Sequence, residues 1–437
     1  MRKIILIPLA LFLLFPKIGS TAEVLDTTHI STAVMGNGLK AIVMEDHSAE
    51  LVAVDAWVKT GTINETDETN GISHFVEHLL FKRTIKRGLG EADRDIESIG
   101  ATLDASTSRD WTHYHTVVAR QYLPIALEIL SDVLMHPVFD PDDIAKERRV
   151  ILDEIAQRDS NYTQFTINAL YAAAYDNHHP YRFAEEGTPE NIKRFTRQDI
   201  LNYYNTYYVP NNMDVVIVGD IALQDAVSAV GQAFQGFKKK DVPKLSEIPN
   251  PTPAGVIKKK IDAKLSATHV AIGFHAPSVE NEPDVQTMDV LLTYLGLGYQ
   301  SWISTELQDK QKLVSNTMAD FLTQRLSGLI TIYFVAKPGD VEKAEQAVLA
   351  KVRELREKTI SDEDLARAKR SLEGSYAFQN ETFASRANTL GFYDSIKDYK
   401  FSTEYVTKIR AVNAEDIQRV VKQYLDPGKA VIVEVGQ

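Results

Sequence analysis

Two histidines and a glutamate lie within one short stretch, His74, Glu77 and His78 in GISHFVEHLLFKRT. Their spacing predicts one side of a buried helix that starts near Asn70 and Gly71. Two imidazoles on one helix face can bind a single divalent ion such as zinc. A neighbouring carboxylate that does not bind the ion can accept a proton from water. The pattern predicts a hydrolytic zinc site; the alternative is that both histidines only make hydrogen bonds within a core.

A third ligand is expected, because catalytic zinc sites usually have three protein ligands and a water. The segment FDPDDIAKERRVILDEIAQRDS predicts a helix with Asp140 as its N-cap. This helix carries Glu147 and Glu154 two turns apart on one face. Two interpretations stay open at this point. One of these glutamates binds the metal, or both are solvated and pair with neighbours such as Lys146 or Arg158.

Composition and charge narrow the class of function. The chain has 437 residues and a formal net charge of -12, without a block of basic residues. This argues against nucleic acid and anionic membrane surfaces as partners. Because the chain has no cysteine, thiolate metal sites and cysteine nucleophiles are excluded.

The N-terminal residues MRKIILIPLALFLLFPKIGSTAEV have the pattern of a secretory signal peptide. Two basic residues precede an apolar run from Ile4 to Phe15, and small residues follow up to Ala22. We expect residues 1–22 to be removed and the mature protein to be periplasmic in a bacterium, without stable insertion in a membrane. The alternative is an uncleaved anchor, although the run is short for a membrane span of about 20 residues.

The rest of the chain predicts two similar halves. Residues 195–220 align without a gap with residues 412–437, and each copy predicts a helix, a Pro turn and a short β-branched strand. A segment between the halves is rich in Pro and Lys, which is typical of a linker. The predicted organisation is a catalytic domain over 23–237, a linker over 238–260 and a homologous second domain over 261–437.

Strands and helices are mixed within each half, which predicts the α+β class. We expect two homologous domains, each a largely antiparallel sheet covered by helices. In the first half the predicted elements are the strands Leu39–Met44, Leu51–Val58 and His113–Val118 and the helix Gln121–Met135.

Taken together, these features resemble the pitrilysin/insulinase/mitochondrial processing peptidase family of inverzincins, whose signature is H-x-x-E-H. The likeness is greatest to the short, processing-peptidase-like members. It is carried by the segments FVEHLLFKRT, HPYRFAEEGTPENIKRF and YYVPNNMDVVIVGD and extends over nearly all of the mature chain. The resemblance implies the processing-peptidase-like metallohydrolase fold and one Zn²⁺ per chain.

The resemblance also implies a role for each residue of the site. The zinc ligands would be His74, His78 and a glutamate 76 residues after the second histidine, which is Glu154 here. Glu77 would be the catalytic general base, and Glu147 would be the supporting acidic residue of the catalytic site. The same ligand types also bind manganese and cobalt, so the metal's identity stays open.

The segment ATLDASTSRDWTHYH corresponds to an edge strand of the family, to which an extended peptide substrate adds as a further strand. Ala105, Ser106 and Thr107 are therefore the candidates for substrate binding. The alternative is a plain edge strand. The family usually carries Asn where this chain has Asp104.

The second half is expected to bind no metal. Its segment MDVLLTYLGLG stands where the first half has its zinc helix, and it contains no histidine or glutamate. Ala368 and Ser375 fall opposite the two glutamates of the first half.

In active relatives an Arg and a Tyr, from the second half or from a partner chain, help to hold substrate over the zinc. This chain has Trp302 and Ser315 near those positions, and no motif assigns the role to the nearby Arg325 or Tyr333. A zinc site without this pair fits one chain of a two-chain clamshell. We therefore expect a homodimer, or a heterodimer with a paralogue that carries the Arg/Tyr pair.

The leading hypothesis is a zinc-dependent endopeptidase that hydrolyses peptides or unfolded segments. The alternative is a catalytically silent assembly or peptide-binding subunit of a family heterodimer. A separate metal site at His178 and His179 is disfavoured, because adjacent residues point to different faces of a regular element.

Overall fold

The computed structural model describes residue 25 and residues 27–175, 179–245, 248–249, 251 and 253–437. The expected signal peptide lies outside these residues. The predicted α+β class with two helix-covered sheets is confirmed. The strands are Ile30–Val34 (β1), Lys40–Glu45 (β2), Leu51–Val58 (β3), Asp104–Thr107 (β4), Thr112–Ala119 (β5), Met213–Gly219 (β6), Ile257–Asp262 (β7), Thr268–His275 (β8), Val314–Phe321 (β9), Leu329–Ala336 (β10) and Val431–Gly436 (β11).

The α-helices lie between these strands along the chain. The predicted helix over 121–135 begins at Leu123 instead, because residues 120–122 form a short 3₁₀ turn before it. The helices are Ile72–Leu80 (α1), Glu91–Ser98 (α2), Leu123–Met135 (α3), Pro141–Ser160 (α4), Tyr162–Ala174 (α5), Pro189–Arg194 (α6), Arg197–Tyr207 (α7), Leu223–Ala233 (α8), Glu282–Leu295 (α9), Val341–Glu357 (α10), Asp362–Gln379 (α11), Phe383–Ile396 (α12), Lys400–Thr403 (α13), Tyr405–Ala411 (α14) and Ala414–Tyr424 (α15).

None of the helices in the described part of the chain is both long and apolar enough to cross a membrane.

The two sheets share one topology. The first has the strand order β1-β2-β6-β3-β5-β4, and the second has the order β7-β11-β8-β10-β9. In each sheet a single parallel pair, β2 with β6 or β7 with β11, lies beside antiparallel neighbours. Apart from the additional β1, the strands therefore correspond one to one, as a duplicated unit would give.

The repeated segment at the end of each half also has the same local structure. Helices α7 and α15 both begin with a capping box, formed by Thr196 with Asp199 and by Asn413 with Asp416. Each helix is followed by a Pro turn and then by the strand, β6 or β11, that pairs in parallel. The cap and turn residues thus fix the same helix–strand unit twice.

Each half lends one helix to the sheet of the other half. Helix α5 packs on β8 and β11 of the second sheet, and α12 packs on β3 and β6 of the first sheet. Gly391 of α12 lies directly against the buried ring of Trp57 on β3. Strand β7 begins at Ile257, inside the segment 238–260 expected to be a linker, because its backbone pairs with β11.

Candidate metal centre

Helix α1 carries the central residues, and a buried carboxylate holds its first turn. Glu65 accepts hydrogen bonds from the backbone N–H groups of Gly71 and Ser73, from the Ser73 hydroxyl and from the Asn70 side chain. Gly71 adopts φ +96°, a left-handed conformation that favours glycine. Asn70 and Gly71 do start the helix as predicted, but the carboxylate of Glu65 takes the place of a side-chain cap.

The three predicted metal ligands converge. The Nε2 atoms of His74 and His78 are 3.2 Å apart. The Oε2 atom of Glu154 lies 3.8 Å from the first of these nitrogens and 3.5 Å from the second. In the described residues, these side chains form the one group of three His, Cys, Asp or Glu residues close enough to hold an ion. Two helices supply them, since Glu154 lies on α4.

The other glutamate of α4, Glu147, contacts His78 on the ring nitrogen that does not face the predicted metal position. Glu147 Oε2 is 3.1 Å from His78 Nδ1, and its Oε1 is 3.0 Å from the Lys82 ammonium. A carboxylate in this place accepts a hydrogen bond from Nδ1–H and so leaves Nε2 free to bind a metal. Burial would raise the pKa of Glu147, but the hydrogen bonds to His78 and Lys82 outweigh it and hold that pKa below its usual value.

The environment sets different pKa values for the two histidines. Burial, together with the neighbouring His78, lowers the pKa of His74 to about 3. Burial also acts to lower the pKa of His78, but the hydrogen bond to Glu147 and the charges of Glu154 and Glu77 outweigh it and raise that pKa. His74 is therefore neutral at physiological pH, which is the form that binds a metal.

Glu77 lies beside the ligands but is not one of the converging group. Its side chain is buried, and Thr107 on β4 donates a hydrogen bond of 2.6 Å to its Oε2 atom. Burial raises the pKa of Glu77, and the Thr107 hydroxyl opposes part of that rise. A carboxyl with a raised pKa next to a metal site is suited to accept and return a proton.

An open cleft of about 790 Å³ leads to these residues. Strand β4 is the edge of the first sheet and forms one wall, so the structure brings the three predicted substrate-binding residues to the predicted site. Residues of α1, α4 and α5 and of the loop before α6 also line the cleft. The lining residues are His74, Glu77, Ala105, Ser106, Thr107, Glu154, Gln157, Arg158, Asn161, Gln164, Glu185 and Glu186.

Comparison with known proteins decides the family. A family model described as Insulinase (Peptidase family M16) matches residues 40–183, and a model described as Peptidase M16 inactive domain matches residues 194–372. The chain belongs to peptidase family M16.

Relatives of this M16 chain include named zinc proteases. This chain is 27% identical to "Zinc protease PqqE" of Helicobacter pylori over 417 aligned residues. The alignment covers 92% of this chain and 91% of the relative. It is 28% identical to "Probable mitochondrial-processing peptidase subunit beta, mitochondrial" of Arabidopsis thaliana over 433 aligned residues. That alignment covers 96% of this chain and 81% of the relative. These names support a peptidase family.

A solved structure shares the fold of the M16 chain. The crystal structure of a protease from Helicobacter pylori matches with a TM-score of 0.89 at 24% identity, over 93% of this chain and 99% of that chain. At this identity the match shows the two-domain architecture alone.

The segments of the second half that align with α1 and α4 lie mainly on α9 and α11. Ala368 and Ser375 lie on α11, which packs on α9 as α4 packs on α1. Trp302 packs against the buried hydrophobic cluster that contains the apolar residues of α9, and the Lys351 ammonium lies over the Trp302 ring. That the second half binds no metal stays a prediction.

Two residues considered near the missing Arg/Tyr pair are engaged elsewhere. The Arg325 guanidinium donates a hydrogen bond to the Ser395 carbonyl, and the backbone N–H of Arg325 donates one to the Asp110 carboxylate. The buried Tyr333 hydroxyl forms hydrogen bonds with the side chains of Thr163 and His269. These partners hold both side chains within the fold of the M16 chain.

Sequence reasoning missed three charged residues around the cleft. Lys82, which holds Glu147, is one turn after His78, and that spacing was the available signal. Glu185 and Glu186 come from a loop far along the chain. They pair with Arg109 and Arg158 at 2.7 and 3.1 Å. Arg158 thus pairs away from the proposed ligand on its own helix.

Of the two adjacent histidines in the loop before α6, the structure describes His179. His178 lies outside the described residues. His179 stacks on Tyr175, and its Nδ1 accepts a hydrogen bond from the backbone N–H of Tyr181. The loop is thus packed by aromatic contacts.

Proposed function

We propose that the chain is a zinc-dependent endopeptidase that hydrolyses peptides or unfolded segments. One observation carries the proposal. His74, His78 and Glu154 converge at the end of a cleft that has the Glu77 carboxyl beside it and an edge strand along one wall.

The donor set fits zinc. Two imidazoles and one carboxylate are a common ligand set of catalytic zinc sites. With metal–ligand bonds of about 2.0–2.1 Å, neighbouring ligand atoms of a tetrahedral site are about 3.3 Å apart. The three distances of 3.2, 3.5 and 3.8 Å between these atoms are close to that value. His74, His78 and Glu154 would therefore hold the ion without large movements.

The residues of the chain have distinct parts in hydrolysis. Zinc, when bound, supplies a Lewis acid that polarises the peptide carbonyl and makes water a better nucleophile near neutral pH. Glu77 accepts a proton from the attacking water and returns it to the leaving amine. Glu147 fixes the tautomer of His78.

The edge strand β4 holds the substrate. Its unpaired side can accept an extended peptide as a further strand, through backbone hydrogen bonds that do not depend on the peptide's sequence. Ala105, Ser106 and Thr107 would contact the peptide, because all three line the cleft.

The direct test is cleavage of an unstructured peptide pool by the zinc-loaded chain. Wild type should cut, and Glu77→Gln should lose about 100-fold or more of the rate while keeping one zinc per chain. Glu97→Gln, on an exposed part of α2, is the matched control and should behave as wild type. Equal rates in wild type and Glu77→Gln would refute the proposed mechanism.

A silent subunit is the second candidate, and the missing Arg/Tyr pair favours it. Trp302 and Ser315 lie near the positions where active relatives have the Arg and the Tyr. A model described as an inactive domain matches residues 194–372. If zinc binds but wild type cuts no peptide, alone or with a paralogue that supplies the pair, this candidate replaces the peptidase.

The absence of the Arg/Tyr pair at the expected positions also supports an assembly of two chains. We infer a homodimer, or a heterodimer with such a paralogue, in which residues 23–237 form the catalytic domain, 238–260 the linker and 261–437 the second domain. Light scattering of the purified chain, with and without the paralogue, measures the stoichiometry.

Export to the periplasm after removal of residues 1–22 is checked by N-terminal sequencing of the mature protein.

A further inference from the structure

Strand β4 presents different residues to its two sides. Ala105 and Thr107 are half-buried, and Ala105 packs against the buried hydrophobic cluster that contains the apolar residues of α1. Asp104 and Ser106 are exposed and stand opposite His115 and His113 of β5. Because side chains alternate along a strand, only Ala105 and Thr107 can face helix α1, which carries His74 and His78.

Thr107 is joined to Glu77 by a direct hydrogen bond. The Thr107 Oγ1 atom lies 2.6 Å from Glu77 Oε2. Within the described residues, Thr107 is the one hydrogen-bond partner of this carboxyl group. Glu77 is 8% exposed, so little solvent is available to replace that contact.

We propose that Thr107 is a positioning residue, which ties the strand that receives the substrate to the carboxylate that handles the proton. This inference rests on the proposed function. The Thr107 hydroxyl occupies Oε2 of Glu77 and thereby leaves Oε1 to face the attacking water. A glutamate side chain has three rotatable torsions, and one short hydrogen bond to a strand removes much of that freedom.

The contact also links substrate binding to catalysis. A peptide that pairs with β4 restricts the motion of the Thr107 backbone. Through its hydrogen bond, the Thr107 hydroxyl then restricts the motion of the Glu77 carboxylate. The effect of the hydroxyl therefore falls on the turnover step and not on peptide affinity, because peptide affinity depends on backbone pairing along the strand.

The test compares Thr107→Val, Thr107→Ser and the control Thr407→Val in the zinc-loaded full chain. Valine keeps the shape of threonine without the donor, and we expect kcat to fall about 10- to 100-fold with KM within about twofold. Serine restores the donor and should return kcat to within about threefold of wild type. Thr407→Val makes the same chemical change at an exposed position on α14, outside the cleft lining, and should leave both constants unchanged.

Three kinetic outcomes would overturn the inference. These are a Thr107→Val enzyme with wild-type kcat, a loss confined to KM, or a serine variant as impaired as the valine variant. Zinc content and melting temperature of each variant separate a positioning effect from simple loss of the fold.

Crystal structures give a readout that needs no turnover. In zinc-loaded wild type and Thr107→Ser, the Glu77 carboxylate should stay in one orientation, and in Thr107→Val it should rotate or become disordered. An unchanged carboxylate in Thr107→Val would overturn the inference. If wild type does not cleave peptides, the proposed function fails, and this comparison alone decides the role of Thr107.

Discussion

At the scale of single residues, the proposed metal site depends on groups that are not predicted ligands themselves. His78 has its Nδ1 held by Glu147, which is held in turn by Lys82. His74 has no such support, since its buried Nδ1 lacks a hydrogen-bond partner among the described residues. The tautomer of one proposed ligand, His78, is thus fixed by the fold before any ion binds.

This difference predicts the effect of Glu147→Gln. Loss of the charge that orients His78 should weaken zinc binding by about 10- to 100-fold while the chain remains folded. Competition with a chromophoric chelator measures the dissociation constant. Asp153→Asn is the control, since Asp153 is exposed on the same helix, and it should match wild type. Wild-type affinity in Glu147→Gln would contradict this role.

At the scale of elements, the site is the meeting of α1, α4 and β4. Helix α4 begins as predicted, with Asp140 capping the backbone N–H of Asp142. Helix α1 begins instead on a buried carboxylate and a left-handed glycine, whose Cα lies close to Gly187. The position of α1 therefore depends on a loop far along the sequence.

Gly71→Ala tests this anchoring. A Cβ atom at this position would lie 2.8 Å from the Cα of Gly187, and the left-handed conformation alone costs about 1–2 kcal/mol for a non-glycine residue. We expect the free energy of unfolding of the metal-free chain to fall by about 2 kcal/mol or more, as measured in urea. Gly36→Ala, which has open space around it, should change little. Equal stability of the two variants would show that the close approach is not rigid.

The motif and the helix cap explain which elements sequence could predict. The spacing of His74, Glu77 and His78 and the cap at Asp140 are local signals, and both helices follow from them. The hydrogen bond from Thr107 to Glu77 and the role of Glu65 depend on contacts between distant segments. Alternation along a strand indicates which side a residue faces but not which carboxylate it meets.

At the scale of the whole molecule, the two halves are interlocked by α5 and α12. Each helix covers a sheet of the other half, so neither half buries both faces of its own sheet alone. A buried charge cluster lies at one of these contacts. Lys59 is 2.9 Å from Asp214 on β6, and Lys40 is 2.6 Å from Asp394 on α12. The sequence repeat predicts two similar halves but not this exchange of helices.

Gly391→Ala should disrupt the packing of α12. The added Cβ would overlap the ring of Trp57, which is fully buried and has no room to move. We expect a loss of about 3 kcal/mol or more in the free energy of unfolding, measured by denaturant titration. Gly374→Ala, in open space on α11, should be neutral or stabilising by about 0.5–1 kcal/mol. A Gly391→Ala protein as stable as wild type would contradict the tight contact.

The charge cluster predicts a pH dependence of stability. Burial, with the nearby Asp394 carboxylate, raises the pKa of Asp214 to about 6, although Lys59 opposes the rise. Between about pH 4 and 6 the unfolded chain releases this proton before the folded chain does, so the unfolding free energy falls as pH rises. The loss is complete above about pH 6 and amounts to at most about 3 kcal/mol.

Asp214→Asn should remove that fall. Unfolding free energies of wild type and variant, measured from pH 4 to 8, should differ by an amount that changes across pH 4–6 and then stays constant. Asp225→Asn, at an exposed position on α8, should keep the wild-type profile. Parallel profiles for wild type and Asp214→Asn would show that Asp214 titrates normally.

The most direct measurement is a crystal structure of zinc-loaded Glu77→Gln with an uncleaved peptide, with anomalous diffraction recorded at the zinc edge. We predict one anomalous peak per chain, within about 2.0–2.2 Å of His74 Nε2, His78 Nε2 and a Glu154 oxygen. The peptide should run along β4 as an added strand. A chain without a peak at this site, or a peptide bound away from β4, would contradict the proposed function.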